Sequence, residues 1–191
     1  VADGRNAVSI KQLADEGKDV PVYSMDKKTG ILEVKMGRNP RITGYNQKLV
    51  RVTLDDGSHV DTTPNHKFIL LDGTIVEAKD LKAGHSLPRF TKALEPVKTD
   101  SKDYYRVYCN TRDQSKNKIF EHRLIAKFYN PEKWEEVYET AKLNGFANAG
   151  GLAVHHKDYD QLNNSPNNLQ IMTFKEHCKL HGDKDNSGEN N

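Results

Sequence analysis

The sequence predicts an α+β chain in two parts, an all-β part over residues 1–90 and a strand–loop–helix module within residues 104–182. Three observations predict this. Short runs with period-two alternation and Asp-Gly turns crowd the first half. Helical apolar spacing, with start and stop signals, begins only after residue 120. A polar stretch at 91–103, carrying Pro96, Lys98, Asp100 and Ser101, reads as a linker between the two.

In the first part, Pro21 to Met25 is a strand, Lys28-Thr29-Gly30 a turn, and Ile31 to Val34 the return strand. Leu49 to Leu54 alternates, meets Asp56-Gly57, and returns as Val60 to Thr63. Phe68 to Leu71 and Thr74 to Val76 flank a second turn at Asp72-Gly73. Strands this short, joined by tight turns, suggest a compact all-β unit. In the second part, Tyr104 to Tyr108 reads as a strand, Asn117-Lys118 as a turn, and Ile119-Phe120 as the start of a partner strand. His122 to Tyr129 carries Leu124, Ile125 and Phe128 at helical spacing. Asn130-Pro131 opens a second helix, with Asn as cap and Pro at the first helical position. Trp134, Val137, Tyr138 and Ala141 form its apolar stripe, and Gly145 ends it. Residues 183–191 read as a disordered polar tail.

Composition sets limits on function. With 35% hydrophobic and 29% charged residues in 191, no stretch approaches the roughly 20 apolar residues of a membrane helix. Val1 to Ser9 is polar and mixed, unlike a signal peptide. The net charge of +2 does not announce a nucleic-acid binder, although Lys and Arg outnumber Asp and Glu between Lys92 and Lys127. Cys109 and Cys178 stand far apart, which excludes a zinc ribbon or disulfide framework and fits a reducing compartment.

The chemistry concentrates in three consecutive segments. Val154-His155-His156-Lys157-Asp158 places two adjacent histidines on a strand, where neighbours point to opposite faces. One can bind a metal while the other faces substrate. Asn163-Asn164-Ser165-Pro166-Asn167-Asn168-Leu169 is an Asn-rich loop. Thr173 then caps a helix with Glu176 three residues on, and His177 and His181 share one helical face. A hairpin that folds back brings His155 and His177 around one ion.

These three segments resemble the HNH nucleases, whose active site is the ββα-metal fold. Glu121-His122-Arg123-Leu124-Ile125-Ala126-Lys127-Phe128 resembles a helix of phage HNH homing endonucleases, so the likeness covers about 80 residues. The resemblance implies that His156 is the general base and that His155 and His177 are metal ligands, with His181 a further one. It implies that Asn168 orients His156 through backbone or imidazole. Asp158 and Asn163 are expected to shape the loop, and Arg123 and Lys127, on one helical face, to contact phosphates. Phosphodiester hydrolysis needs an activated water and a cation at the leaving oxygen, and neutral His titrates in the right range to act as base. The expected cofactor is a single divalent metal, Mg²⁺ foremost, and the expected substrate is double-stranded DNA.

Asp61-Thr62-Thr63-Pro64-Asn65-His66-Lys67-Phe68, with Ala78 to Leu87, Ala2-Asp3-Gly4-Arg5 and Ser9 to Leu13, resembles the N-terminal half of an intein, the Hint fold. That resemblance assigns Thr63 and His66 to polarising a splice-junction peptide bond and implies a host protein (the extein) as partner. It also implies a bacterial or phage-infected cytoplasm, and no membrane. The chain opens on Val1 where a nucleophilic Cys or Ser is needed, and Asn190-Asn191 has no preceding His. As it stands, the chain is therefore expected not to splice, and nuclease action is preferred to self-processing.

Overall fold

Among the described residues of the computed structural model every sheet is a small antiparallel one, and all but one are lone hairpins. The structure describes residues 1–5, 7–26, 29–97, 102–109, 118–145 and 151–186, with the backbone alone over 183–186. The expected turn residues Lys28 and Asn117 and most of the tail lie outside these.

The chain opens with a short helix α1 (Ile10–Glu16), which the strand-centred reading passed over. Its signals are ordinary ones: Ser9 accepts a hydrogen bond from the Gln12 amide, and Gly17 closes the helix at φ 61°. Strands β1 (Val20–Met25) and β2 (Leu32–Gly37) pair next. The hairpins β3 (Val50–Thr53) with β4 (His59–Thr62), and β5 (Lys67–Ile69) with β6 (Ile75–Glu77), follow. Their turns are built as the sequence implies. Gly57 and Gly73 take φ values of 80° and 90°, and Asp56 and Asp72 accept amide hydrogen bonds two residues on.

The stretch read as a linker is mostly strand. β7 (Phe90–Val97) pairs along its whole length with β8 (Lys102–Cys109), which pairs in turn with β9 (Lys118–Phe120). Its polarity misled because its partners are polar too. Lys92 lies over the Tyr105 ring, and Glu95 pairs with Arg106 and Lys118, so charged side chains serve as cross-strand contacts here. Much of the basic excess in this region is thereby committed within the chain.

Helices α2 (Glu121–Tyr129) and α3 (Pro131–Leu143) follow as expected, with Gly145 at φ 85° beyond the second. β10 (Leu152–His156) and β11 (Leu169–Thr173) form the last hairpin, and α4 (Phe174–Asn186) closes the description. The module was expected to end at residue 182, but α4 runs four residues past it into the supposed tail.

Buried side chains redraw the two-part plan. One core joins Ile125 and Ala126 of α2, Trp134 and Val137 of α3, and Leu152, Val154, Leu169 and Ile171 of the last hairpin. It also contains Ala2, fully buried, with Tyr23 and Val34 packed against it. A second core joins Leu32 to Val107, Cys109 and Leu124. The first hairpin thus packs with α2 instead of forming a closed all-β unit with β3–β6. Leu49, Val60 and Ile75 are exposed. Apolar burial favours this arrangement, at roughly 25 cal/mol per Å². Among the described residues no helix is long and apolar enough to cross a membrane.

Candidate active site

The last hairpin and α4 build the site. Strand alternation sends Val154 and His156 toward the core beneath α2 and sends His155 to the opposite face, over α4. The loop between β10 and β11 is tied by carboxamides. Asn168 Nδ2 donates to Asp158 Oδ1 and to the Asn163 carbonyl, both at 2.8 Å. The Asp158 amide donates to Asn168 Oδ1 at 3.1 Å, and Asn163 Nδ2 donates to Asp158 Oδ2 at 2.6 Å. These hydrogen bonds, Asn168's foremost, hold the Asp158 carboxyl below its ordinary range. Tyr159 adopts φ 64°, a left-handed conformation costly for a bulky L-residue. The turn sets its ring 5.0 Å from His155 and 5.7 Å from His181.

Across from His155, the capping box of α4 forms as its spacing implies. The Thr173 amide and hydroxyl donate to Glu176 Oε2, and the Glu176 amide donates back to Thr173 Oγ1. This fixes the first turn that presents His177. The imidazoles of His155, His177 and His181 converge, with one ligand atom from each within 4.8 Å of the others. Ligands of a tetrahedral ion at about 2.1 Å lie roughly 3.4 Å apart, so small side-chain rotations close the set. Burial pushes His177 below its ordinary pKa, and His181 and His156 add to the effect. A neutral imidazole is the form that binds metal. The donor set therefore fits a divalent ion held by three nitrogens.

On the other face of β10, His156 is 7% exposed. Its Nε2 lies 2.9 Å from Asn164 Oδ1, and Asn164 Nδ2 donates to Glu121 Oε2 at 2.7 Å. Glu121, the first residue of α2, also accepts a hydrogen bond from the Tyr23 hydroxyl and pairs with Lys92 Nζ at 2.7 Å. Burial, reinforced by the Glu121 charge, keeps Tyr23 protonated. His122 packs edge-on to His156 with centroids 5.1 Å apart, and burial lowers its pKa to about 3.

The structure brings together His155, His177 and His181, with His156 beside them. Asn168 does not reach the His156 imidazole; it binds the backbone just beyond, and the imidazole's partner is Asn164. Arg123 is half-buried; it donates from Nη1 to the Leu152 carbonyl at 3.0 Å and lies over the Trp134 ring. Lys127 is exposed, with its Nζ 5.8 Å from the centroid of the same ring. Thr63 and His66 meet through a backbone hydrogen bond of 3.0 Å, with the His66 ring exposed and edge-on to Phe68. Asn164, Glu121, Tyr23 and Lys92 were not foreseen. A glutamate amid the apolar residues of α2 and a second Asn beside Asn163 were the visible signals.

This strand–loop–helix carries the converging histidines, and residues 120–179 match the family model described as HNH endonuclease. The chain thus carries an HNH endonuclease domain over those residues, a family that acts on DNA and generally uses a divalent metal. Over 186 residues the chain is 32% identical to the DNA gyrase B protein of Synechocystis sp. (strain ATCC 27184 / PCC 6803 / Kazusa). The alignment covers 95% of this chain but 16% of that protein. No solved structure matches.

Proposed function

We propose that this chain is an endonuclease that hydrolyses phosphodiester bonds of double-stranded DNA with one divalent metal and His156 as general base. The observation that carries the reading is the three-histidine cluster on one face of β10, with His156 anchored on the other. His155, His177 and His181 would hold the ion, which supplies charge stabilisation at the phosphate and leaving oxygen. His156 would take the proton from the attacking water. Asn168 keeps the loop closed so that both histidines hold their orientation, and Lys127 offers an exposed cation to the DNA backbone. Three nitrogens and no carboxylate suit Zn²⁺ or Ni²⁺ better than Mg²⁺, which prefers oxygen ligands.

We further read the chain as an intein-borne homing endonuclease of a bacterial or phage-infected cytoplasm, with its host protein as extein. Near-complete alignment within a small fraction of a gyrase protein supports this, as do the Hint-like segments carrying Thr63 and His66. The alternative is a splicing element in which the nuclease is a passenger. Incubating the chain with supercoiled plasmid bearing the gyrase insertion site, with each metal, with EDTA and with His156→Ala, tests the enzyme reading. Nicking or linearisation lost with EDTA and with the substitution is expected. Absence of cutting with every metal, despite retained DNA binding, refutes it.

A further inference from the structure

Three buried polar side chains stand in line: His156 at 7% exposure, Asn164 at 4% and Glu121 at 2%. Buried polar groups must be paired, and the pairing here has a direction. Glu121 Oε2 can only accept, so Asn164 turns its Nδ2 toward it, at 2.7 Å. That choice leaves Oδ1 facing His156 Nε2 at 2.9 Å. A carboxamide oxygen cannot donate, so the hydrogen must reside on Nε2. A neutral imidazole carries a single N–H, and its lone pair is then on Nδ1. The far end of the line is held from outside the matched segment 120–179, by the Tyr23 hydroxyl of β1 and Lys92 of β7, both on Glu121 Oε1.

We propose that Asn164 and Glu121 are positioning residues that lock His156 in the Nε2–H tautomer, so that Nδ1 is the atom that accepts the water's proton. Tyr23 and Lys92 orient Glu121 and make the first hairpin and β7 part of the catalytic apparatus. The assignment of Nδ1 as proton acceptor rests on the reading of His156 as general base. The tautomer lock does not.

The test uses the full chain with Asn164→Leu, which keeps size but removes the acceptor, and Asn164→Thr, whose hydroxyl keeps an acceptor for Nε2–H and a donor for Glu121. Two-bond ¹H–¹⁵N spectra of the metal-free protein at neutral pH report the His156 tautomer, assigned with His156→Gln. Wild type should show a protonated Nε2 and a bare Nδ1. Asn164→Leu should lose that preference, with kcat for plasmid nicking down on the order of 10²-fold while KM and Zn²⁺ stoichiometry hold. Asn164→Thr should restore the Nε2–H signature and most of kcat. A wild-type spectrum with Nδ1–H, or wild-type ring shifts in Asn164→Leu, overturns the lock; if Asn164→Leu does not fold, the wild-type and Thr spectra still decide. If the lock is present but wild type cuts no DNA, the nuclease reading fails alone. If wild type cuts and His156→Ala abolishes cutting while Asn164→Leu cuts normally, the positioning role fails alone.

Discussion

Replacing Arg123 with Ala separates a structural arginine from a DNA-contacting one. The guanidinium donates to the Leu152 carbonyl at 3.0 Å and stands 5.3 Å from the Trp134 ring centroid, so it ties α2 to β10 and α3 at once. The residue is half-buried, and burial lowers its pKa. Its loss leaves a carbonyl without its charged donor, a cost of about 1–3 kcal/mol, and removes a cation–π contact of about 0.5–1 kcal/mol. The sum is about 1.5–4 kcal/mol. At roughly 2–4 °C per kcal/mol for a chain of this size, the melting temperature should fall by about 3–16 °C. Thermal and urea unfolding of Arg123→Ala beside Lys127→Ala measures it. Lys127→Ala should stay within about 0.5 kcal/mol of wild type, while the log–log salt slope of DNA binding drops by about 0.9. Unfolding of Arg123→Ala at the wild-type midpoint, with a reduced salt slope, would refute the reasoning and return Arg123 to the DNA surface.

Other expectations follow from the same geometry. Zn²⁺ or Ni²⁺ at 100 times its dissociation constant should stabilise the chain by about 2.7 kcal/mol, Mg²⁺ at equal concentration far less, and His177→Ala should abolish the difference in a thermal-shift titration. His122 is neutral when folded, with a pKa near 3 against an ordinary 6.5. The unfolded chain therefore binds the extra proton below pH 6.5, and stability should fall as pH drops from 6.5 toward 3, by about 1.4 kcal/mol per unit at its steepest. His122→Phe should flatten the pH dependence of unfolding between pH 6 and 4; an unchanged slope would show that the proton binds elsewhere. Thr173→Ala should cost about 1 kcal/mol through the lost cap and weaken metal affinity by calorimetry, since α4's first turn presents His177.

What the sequence disclosed and what it withheld have different physical causes. The three-histidine cluster was legible because each cue was local: adjacent histidines on a strand, a capping box, and histidines four apart on a helix. The turns at Asp56-Gly57 and Asp72-Gly73 were legible for the same reason. The anchor of His156 was not, since Glu121 and Asn164 are 43 residues apart and only the folded chain brings them together. β7 hid because charged side chains supplied its cross-strand contacts. The tie from Arg123 to the Leu152 carbonyl was hidden because spacing identifies a helix face but not what that face meets. The division at residue 90 missed Ala2 and Leu32, whose apolar character shows that they are buried but not in which core.

Tyr23 and Glu121 lie 98 residues apart, and Ala2 enters the core that Trp134 and Leu169 complete. This gives the chain an order of assembly. The first hairpin leaves the ribosome with its apolar face bare and must wait for α2 before that face is covered, while the intervening hairpins can form as local units. Closing so long a loop is slow relative to local pairing. The interval in which Val20 and Leu32 stand uncovered is when an unfinished chain would aggregate or engage a chaperone. His156 cannot gain its anchor before α2 docks, so a nascent or partly folded chain holds that imidazole unpositioned until the fold is complete.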